Sequence, residues 1–426
     1  MDSVNVWRRL GPGILLAATS IGASHLVLSP QAGALFGFDL LWLVLLVHLL
    51  KYPAFEAGPR YAAATGSSLL AGYARMPGPR GWALWLFLVS TVLQGIGVLA
   101  GVVSVSGAVL YAWTGGFDPV GYSLIVIVLV VGLLFCGGFA WLDNLNKLMM
   151  AALALATLLA FVPVFPGPAA WKHLVWPSLP AGSLVLVAAV LGWMPTGIDV
   201  SIWHSFWTLK KLERLGLRAG CAGEAALEQR CTQLGLALGD MRTGYGLSLA
   251  TGVMFVIMGA VHLAGRGAEL EGVGFVEALS SAYTNVLGRW MFHVFMVTAF
   301  CAMFSTSYTV IDGFSRSFAE VLAALFPARA GGRRRRQTYR GFVLVSSALA
   351  AVTLAWIGNP VTVVTAVALL SLAVAPVLYA LNLICIQRHI EEPRLQPART
   401  TTLLGWLGVA TMVLAVAATV YVKLLR

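Results

Sequence analysis

The chain has 426 residues, of which 59% are hydrophobic and 11% charged, with a formal net charge of +11. Its mean hydropathy is +0.85. Because about a quarter of a soluble domain is charged, this composition excludes a soluble protein and indicates an integral membrane protein. In such a protein the basic residues set the orientation of the chain in the membrane, and we expect no nucleic-acid partner. The five cysteines have no CxxC spacing, which argues against a disulfide framework or a zinc ribbon.

The sequence predicts about 11 transmembrane helices. Each is an apolar run that reaches the roughly 20 residues needed to cross about 30 Å of hydrocarbon. A removed signal peptide is the alternative for the first run, but that run is long for one and shows no A-x-A site. The predicted spans, numbered 1 to 11 in chain order, lie near residues 11–30, 34–57, 82–112, 121–140, 142–165, 183–207, 244–265, 289–314, 341–357, 360–386 and 402–424.

Basic residues concentrate in alternate loops, which predicts the orientation of the chain. One set of loops holds Arg8, Arg9 and the run 333–336, while Glu269 and Glu271 make the loop before span 8 acidic. We therefore expect a multi-pass protein of the cell membrane with a cytoplasmic N-terminus and an external C-terminus.

Spans 1 and 6 are interrupted, and each is the first span of a five-span block. Span 1 contains Gly-Ala-Ser-His at 22–25 and ends in Pro30, while span 6 contains GWMPTGIDVSIWHS at 192–205. Unwound backbone is tolerated at membrane depth only where it lines a cavity or meets a ligand. Proline kinks alone need no ligand, but a carboxylate at Asp199 is costly there and favours a site. Paired breaks in two halves are typical of inverted-repeat transporters.

Several segments resemble the Nramp family of divalent metal transporters. The segments are Gly11-Pro12-Gly13, SPQAGALFGFDLLW at 29–42, RYAAATGSSL at 60–69, WMP at 193–195 with HS at 204–205, FSTSYTVIDGFSRSF at 304–318 and LLSLAVAPVL at 369–378. The resemblance implies an all-α, LeuT-type membrane fold with a 5+5 inverted repeat and broken helices 1 and 6. Residues 1–165 would form the first five-helix repeat, 166–390 the second, inverted one, and 391–426 an additional C-terminal transmembrane helix.

The sequence departs from the family at both breaks. Family members that carry manganese or iron have Asp-Pro-Gly-Asn in helix 1, where this chain has residues 22–25 and therefore no carboxylate. In helix 6 the family's Met-Pro-His run corresponds to Met194-Pro195-Thr196, so a threonine stands in place of the histidine. An alignment anchored on His204 instead places Asp199 where the family has its first helix 6 histidine. The resemblance alone therefore does not imply that this chain carries a metal.

We predict a substrate site between the two breaks. Its predicted substrate-binding residues are Gly22, Ala23, Ser24, His25, Met194, Thr196, Gly197 and Asp199. A metal would take an imidazole, a thioether and a carboxylate from His25, Met194 and Asp199, a mixed ligand set that suits first-row transition metals. Proton coupling would use His25, Asp199 and His204, since titratable groups at membrane depth are typical of proton relays.

Two functions stay open for this site. The first is secondary transport by alternating access of a divalent cation such as Mn²⁺ or Fe²⁺, with proton coupling. The alternative is a proton- or ion-coupled symporter of a small organic solute, for which Gly22, Ala23 and Gly197 clear space while Ser24 and Thr196 donate hydrogen bonds. Added bulk at Ala23 would discriminate between the two. The metal would be a substrate rather than a cofactor, and beyond substrate and lipid we expect no obligate protein partner.

Other functions are disfavoured by the sequence. It has neither an HExxH nor a GxSxG motif and no soluble cofactor domain, so we expect no enzyme. It has no filter motif of a channel. Among the remaining polar residues, we predict that His48 is a satisfied core histidine and that Asp312 pairs with Arg316 one turn further on.

Overall fold

A computed structural model describes residues 11–136, 139–217, 224–265, 274–329 and 331–424. Within these ranges every regular element is a helix, and no strand occurs. Arg8, Arg9, Glu269 and Glu271, which contributed to the predicted orientation, lie outside the described residues.

The described residues form sixteen α-helices, a π-helix and three short 3₁₀ helices. The first half contains α1 (Pro12–Ser20), the π-helix (Ser24–Leu28), α2 (Ser29–Phe36), α3 (Leu41–Thr65), α4 (Leu69–Tyr73), α5 (Trp82–Thr114), α6 (Pro119–Cys136), α7 (Phe139–Phe161) and α8 (Pro168–Val175). The second half contains α9 (Leu184–Trp193), α10 (Val200–Arg214), α11 (Glu224–His262), α12 (Gly274–Leu287), α13 (Met291–Leu325), α14 (Gly332–Ile357), α15 (Pro360–His389) and α16 (Arg399–Leu424). The 3₁₀ helices are Val162–Val164, Pro327–Arg329 and Pro393–Leu395.

These helices match the predicted spans. Eight described helices, α3, α5, α6, α11 and α13 to α16, are long and apolar enough to cross a membrane. A ninth span is the bent segment from α1 to α2, whose two parts meet at 41°. The remaining two predicted spans coincide with shorter apolar helices, Ala151–Val164 and Leu184–Trp193. The prediction of an all-helical membrane protein with about 11 spans and broken spans 1 and 6 is therefore confirmed.

Several predicted boundaries are wrong, and two of them have a clear physical reason. Span 1 does not end at Pro30, because that proline lies in the first turn of α2, where a missing N–H costs nothing, and the helix continues to Phe36. Span 7 does not begin at 244, because α11 already begins at Glu224. The apolar run marks only the part of a helix that lies in hydrocarbon, so a polar helical extension is invisible to it.

The bundle has central and peripheral helices. In the most apolar 18-residue stretch of α3, 72% of the residues are buried, whereas the corresponding stretches of α6 and α16 are 22% and 17% buried. Large apolar side chains such as Val128, Trp356 and Leu414 point outward. Such a surface suits lipid, in which apolar side chains need no cover, so α6 and α16 lie at the rim while α3 lies in the centre.

Glycines allow span 1 to touch α11 backbone to backbone. A Cβ built on Gly244 would lie 1.9 Å from the carbonyl oxygen of Gly13, and one built on Gly33 would lie 1.9 Å from that of Val256. Small residues at a helix crossing give the close approach on which helix association in lipid depends. The two contacts therefore fix both halves of the broken span against one long helix.

We expect Gly244→Ala to lower the free energy of unfolding by about 2 kcal/mol, because the new methyl group would clash with backbone that cannot move aside. The matched control is Gly246→Ala on the same helix, where a Cβ meets nothing within 4 Å. Thermal melting in detergent would compare the two variants. Equal melting temperatures would contradict the importance of this contact.

Candidate functional site

The first break lies between α1 and the π-helix. Here α1 ends at Ser20, and the chain turns through Ile21 and Gly22 before the π-helix begins at Ser24. The hydroxyl of Ser24 lies 2.9 Å from the carbonyl oxygen of Ser20 and 3.2 Å from that of Pro195. Ser24 therefore satisfies backbone released by the first break and reaches the second break directly.

The second break lies between α9 and α10. Here α9 ends at Trp193 and α10 begins at Val200, and Pro195 has no N–H to continue the helix. Among the described residues, the carbonyls of Gly192 and Thr196 receive no backbone N–H. The C-terminal end of α9 therefore presents unsatisfied oxygens at the negative end of a helix dipole.

Lys51 occupies this end of α9. It extends from α3, and its Nζ donates to the carbonyl oxygens of Gly192 at 2.9 Å and Thr196 at 3.5 Å. The side chain is completely buried. The sequence analysis missed Lys51 because it counted the residue as part of apolar span 2. A lone lysine inside such a span is the same signal that identified Asp199.

Asp199 lies on the other side of the same break. Its side chain is only 3% exposed. Lys51 interacts with its carboxylate through charge, and Gln94 of α5 interacts with it through a hydrogen bond. A Cβ on Gly197 would lie 2.3 Å from its Oδ1, so the glycine makes room for the carboxylate. Gln94 in turn accepts a hydrogen bond from Ser371 of α15 at 2.8 Å.

A cavity lies between the two breaks. Predicted site residues that line it are Ala23, Ser24, Thr196, Gly197 and Asp199. The aromatic rings of Trp193, Trp203 and Phe314 form apolar walls, and Thr306 of α13 adds a hydroxyl. About 20 Å³ is open to the centre of a water molecule, which is room for one or two waters. The arrangement suits a small ligand beside one carboxylate.

The other predicted site residues face away from this cavity. The Nδ1 of His25 lies 3.0 Å from the hydroxyl of Ser24, and its Nε2 lies 2.9 Å from the carbonyl oxygen of Ser248 on α11. The Met194 methyl also points to α11, 3.0 Å from a Cβ built on Gly252. The structure thus brings His25 and Met194 together beside Gly252, and neither lines the cavity that contains Asp199. Among the described residues, no three His, Cys, Asp or Glu side chains are grouped to hold a metal ion.

Gly22 and His204 also lie outside the cavity lining. A Cβ on Gly22 would lie 3.1 Å from the side chain of Thr306, so the glycine allows the break to pack against α13. His204 is completely buried, and neither of its ring nitrogens has a hydrogen-bond partner among the described residues. The charged groups that act on it are Asp240 and Lys211.

His48 joins His25 in one chain of buried polar groups. Its Nδ1 donates to the carbonyl oxygen of Val44 at 2.8 Å, and its Nε2 lies 3.2 Å from the hydroxyl of Ser248. That hydroxyl lies 3.0 Å from Nε2 of His25. Both nitrogens of His48 are satisfied, as predicted, but its connection to His25 was not expected.

The predicted pair of Asp312 and Arg316 is confirmed. Their closest N to O distance is 2.9 Å, and the hydroxyl of Tyr339 donates to the same carboxylate at 2.9 Å. Neither charged residue lines the cavity. The pair therefore joins α13 to α14 away from the site.

Asp240 of α11 ties the beginning of α1 to α10. Its carboxylate accepts from the backbone N–H groups of Gly11 at 3.2 Å and Gly13 at 3.1 Å, and from Nζ of Lys211 at 2.9 Å. An acidic side chain at a helix N-terminus also favours the helix dipole. The two broken spans are therefore joined through one carboxylate at this end of the bundle.

We expect Asp240→Asn to lower the free energy of unfolding by about 1–3 kcal/mol, because one amide oxygen cannot serve three donors. Glu391→Gln makes the same charge change at an exposed position and is the control. Thermal melts of both variants would test this. An unchanged melting temperature for Asp240→Asn would rule out a structural role for the carboxylate.

A helical membrane bundle with two facing broken helices and a carboxylate-lined cavity between them defines a membrane transporter. Residues 13–422 match the family model of natural resistance-associated macrophage protein-like proteins. The chain therefore belongs to this family, Nramp.

Two curated relatives are similar in sequence. An uncharacterized protein of Pasteurella multocida is 29% identical over 361 residues, covering 82% of this chain and 78% of the relative. The divalent metal cation transporter MntH of Chromohalobacter salexigens is 29% identical over 193 residues, which is 43% of this chain and 42% of that protein. The first match spans most of both chains, whereas the second covers less than half of each.

Solved transporters share the fold. The manganese transporter of Eremococcus coleocola, solved with an aromatic bis-isothiourea compound, has a TM-score of 0.70 at 14% identity, covering 97% of this chain and 87% of that one. MhsT in complex with L-phenylalanine has a TM-score of 0.59 at 14% identity, covering 97% of each chain. Mhp1, a nucleobase-cation-symport-1 transporter with a bound bromovinylhydantoin, has a TM-score of 0.58 at 17% identity, covering 97% and 92%. These likenesses support the predicted LeuT-type fold.

Proposed function

We propose that this protein is a secondary transporter that works by alternating access and binds its substrate between the two broken spans. The observation that carries the proposal is the buried cavity to which both breaks contribute, with Ser24 on one side and Asp199 on the other. Irregular backbone in the middle of a membrane bundle is where transporters of this architecture bind substrate.

A divalent metal cation such as Mn²⁺ or Fe²⁺ is the first candidate substrate. Family membership supports it, and the similar proteins of Chromohalobacter salexigens and Eremococcus coleocola are a divalent metal cation transporter and a manganese transporter. The small cavity also suits an ion beside Asp199. His25 and Met194 would become ligands only after leaving their present contacts with Ser24, Ser248 and α11.

A small organic solute is the second candidate, and Lys51 favours it. The positive charge of Lys51 acts on the single carboxylate of the cavity, Asp199. The two charges compensate each other, so a divalent cation would meet little net negative charge in a medium where electrostatic interactions are strong. Two structures of similar fold hold organic molecules, L-phenylalanine in MhsT and a hydantoin in Mhp1. In this case the cavity would widen beside Ala23 and Gly197.

In the proposed transport cycle one end of the bundle opens while the other end closes. In the proposed orientation, with the N-terminus cytoplasmic and the C-terminus outside the cell membrane, the contacts of Asp240 close the cytoplasmic end. The repeats would be residues 1–165 and 166–390, followed by 391–426. Proton coupling through Asp199, His25 or His204 is part of the proposal. The proposal includes no resident cofactor, no enzymatic activity and no protein partner.

Calorimetry of the purified protein with Mn²⁺, Mg²⁺ and Ca²⁺ tests the first candidate. We expect Mn²⁺ to bind and Asp199→Asn to weaken that binding about tenfold or more, because a charged ligand is lost. Asp312→Asn removes the same charge outside the cavity and should bind Mn²⁺ normally. A folded sample that binds no divalent ion would contradict metal transport and leave the organic solute as the substrate.

Uptake into pH-clamped proteoliposomes tests proton coupling. An inward proton gradient should accelerate uptake of the substrate that calorimetry identifies, and proton entry should accompany it. Asp199→Asn should remove the effect of the gradient, while Asp312→Asn should retain it. Flux that ignores the gradient, with no proton movement, would refute coupling.

A further inference from the structure

The C-terminal end of α9 has the features of a cation site. The carbonyls of Gly192 and Thr196 lack backbone donors among the described residues, and they lie at the negative end of the half-helix. In hydrocarbon, carbonyl oxygens without donors are strongly destabilising. Broken-helix transporters use such unwound carbonyls and half-helix ends to coordinate cations. The end of α9 therefore needs a positive charge or hydrogen-bond donors.

Lys51 supplies both. Its ammonium group carries the charge and donates to the two oxygens at 2.9 and 3.5 Å. The side chain comes from a different span, α3, which belongs to the central part of the bundle. Lys51 is completely buried, so bulk water does not reach its ammonium group. The carbonyls of the break and the nearby Asp199 must stabilise its charge.

We propose that Lys51 is a tethered cation, occupying the position at the end of α9 where a free monovalent cation would otherwise bind. The ammonium is held by a covalent stem, so no cation from solution is needed to stabilise this side of the break. The chemical class that fits the position is therefore a small alkylammonium ion or an alkali cation. This inference goes beyond the proposed function, since it holds for a metal or an organic substrate.

The charge of Lys51 also matters for the opposite side of the break. Lys51 and Asp199 act on each other electrostatically, although Nζ donates its hydrogen bonds to Gly192 and Thr196. Removing one member of a buried charge pair leaves the other uncompensated, which is strongly destabilising. A side chain that merely filled space would not have this effect, so Lys51→Met distinguishes packing from the charge and hydrogen bonds of the ammonium group.

Chemical rescue tests the proposal. Lys51→Ala removes three carbons and the ammonium, which together correspond to n-propylammonium. We expect this variant to melt several degrees below the wild type and n-propylammonium chloride to restore most of the loss. Choline chloride at equal ionic strength and neutral 1-propanol should not restore it. Lys172→Ala, which removes an exposed lysine of α8, controls for general effects of the amine.

A folded Lys51→Ala whose melting temperature responds to n-propylammonium no more than the wild type would overturn the proposal. If this variant folds only when purified in the amine and unfolds on its removal, the proposal is supported. If it cannot be purified at all, Lys51→Met decides, because its stem fills the space without a charge. Lys51→Met should melt several degrees lower, and a wild-type melting temperature would overturn the proposal. Melting needs no transport assay, so its outcome is separate from that of the proposed function.

Discussion

Backbone hydrogen bonding at two helix breaks is the constraint on which the rest of the structure depends. In a membrane interior each released N–H or C=O needs a partner from the protein itself. At the first break the hydroxyl of Ser24 meets the carbonyls of Ser20 and Pro195. At the second break Lys51 meets those of Gly192 and Thr196. Because Ser24 reaches Pro195, the two breaks are also coupled to each other.

The side chains that satisfy the two breaks, Ser24 and Lys51, determine the electrostatics of the cavity. A hydroxyl satisfies the first break without adding charge, whereas the titratable amine of Lys51 meets the second. Asp199 then serves two purposes, since it compensates Lys51 and lines the cavity. A ligand in the cavity must compete for a carboxylate that already has an electrostatic partner. Coordination of a divalent ion and retention of Lys51 in its present position therefore oppose each other.

The sequence predicted the spans and breaks well because both depend on local composition. Apolar runs mark hydrocarbon, and glycine with proline marks unwound backbone. The division of the predicted site was not predictable, because it depends on side-chain direction. The π-helix at Ser24–Leu28 has a wider turn than an α-helix, and consecutive residues Ser24 and His25 face the cavity and α11 respectively. Lys51 was predictable in principle, but only its contacts identify its partners.

Glycine contacts show which helices pack against each other backbone to backbone. A Cβ on Gly192 of α9 would lie 2.1 Å from the carbonyl oxygen of Ala368 on α15, and a Cβ on Gly58 of α3 would lie 2.0 Å from that of Ser201 on α10. Spans joined backbone to backbone cannot slide without separating, because packed interfaces do not deform continuously. The first broken span is held to α11 in the same way, through Gly13 and Gly244. The two halves of span 6 share these partners, because α9 also accepts a hydrogen bond from Lys51 of α3 at 2.9 Å, and Ser201 of α10 also accepts one from Asn382 of α15 at 2.6 Å. The segment 194–199, which contains Asp199 and the Thr196 carbonyl bound by Lys51, is therefore held at both of its ends by α3 and α15.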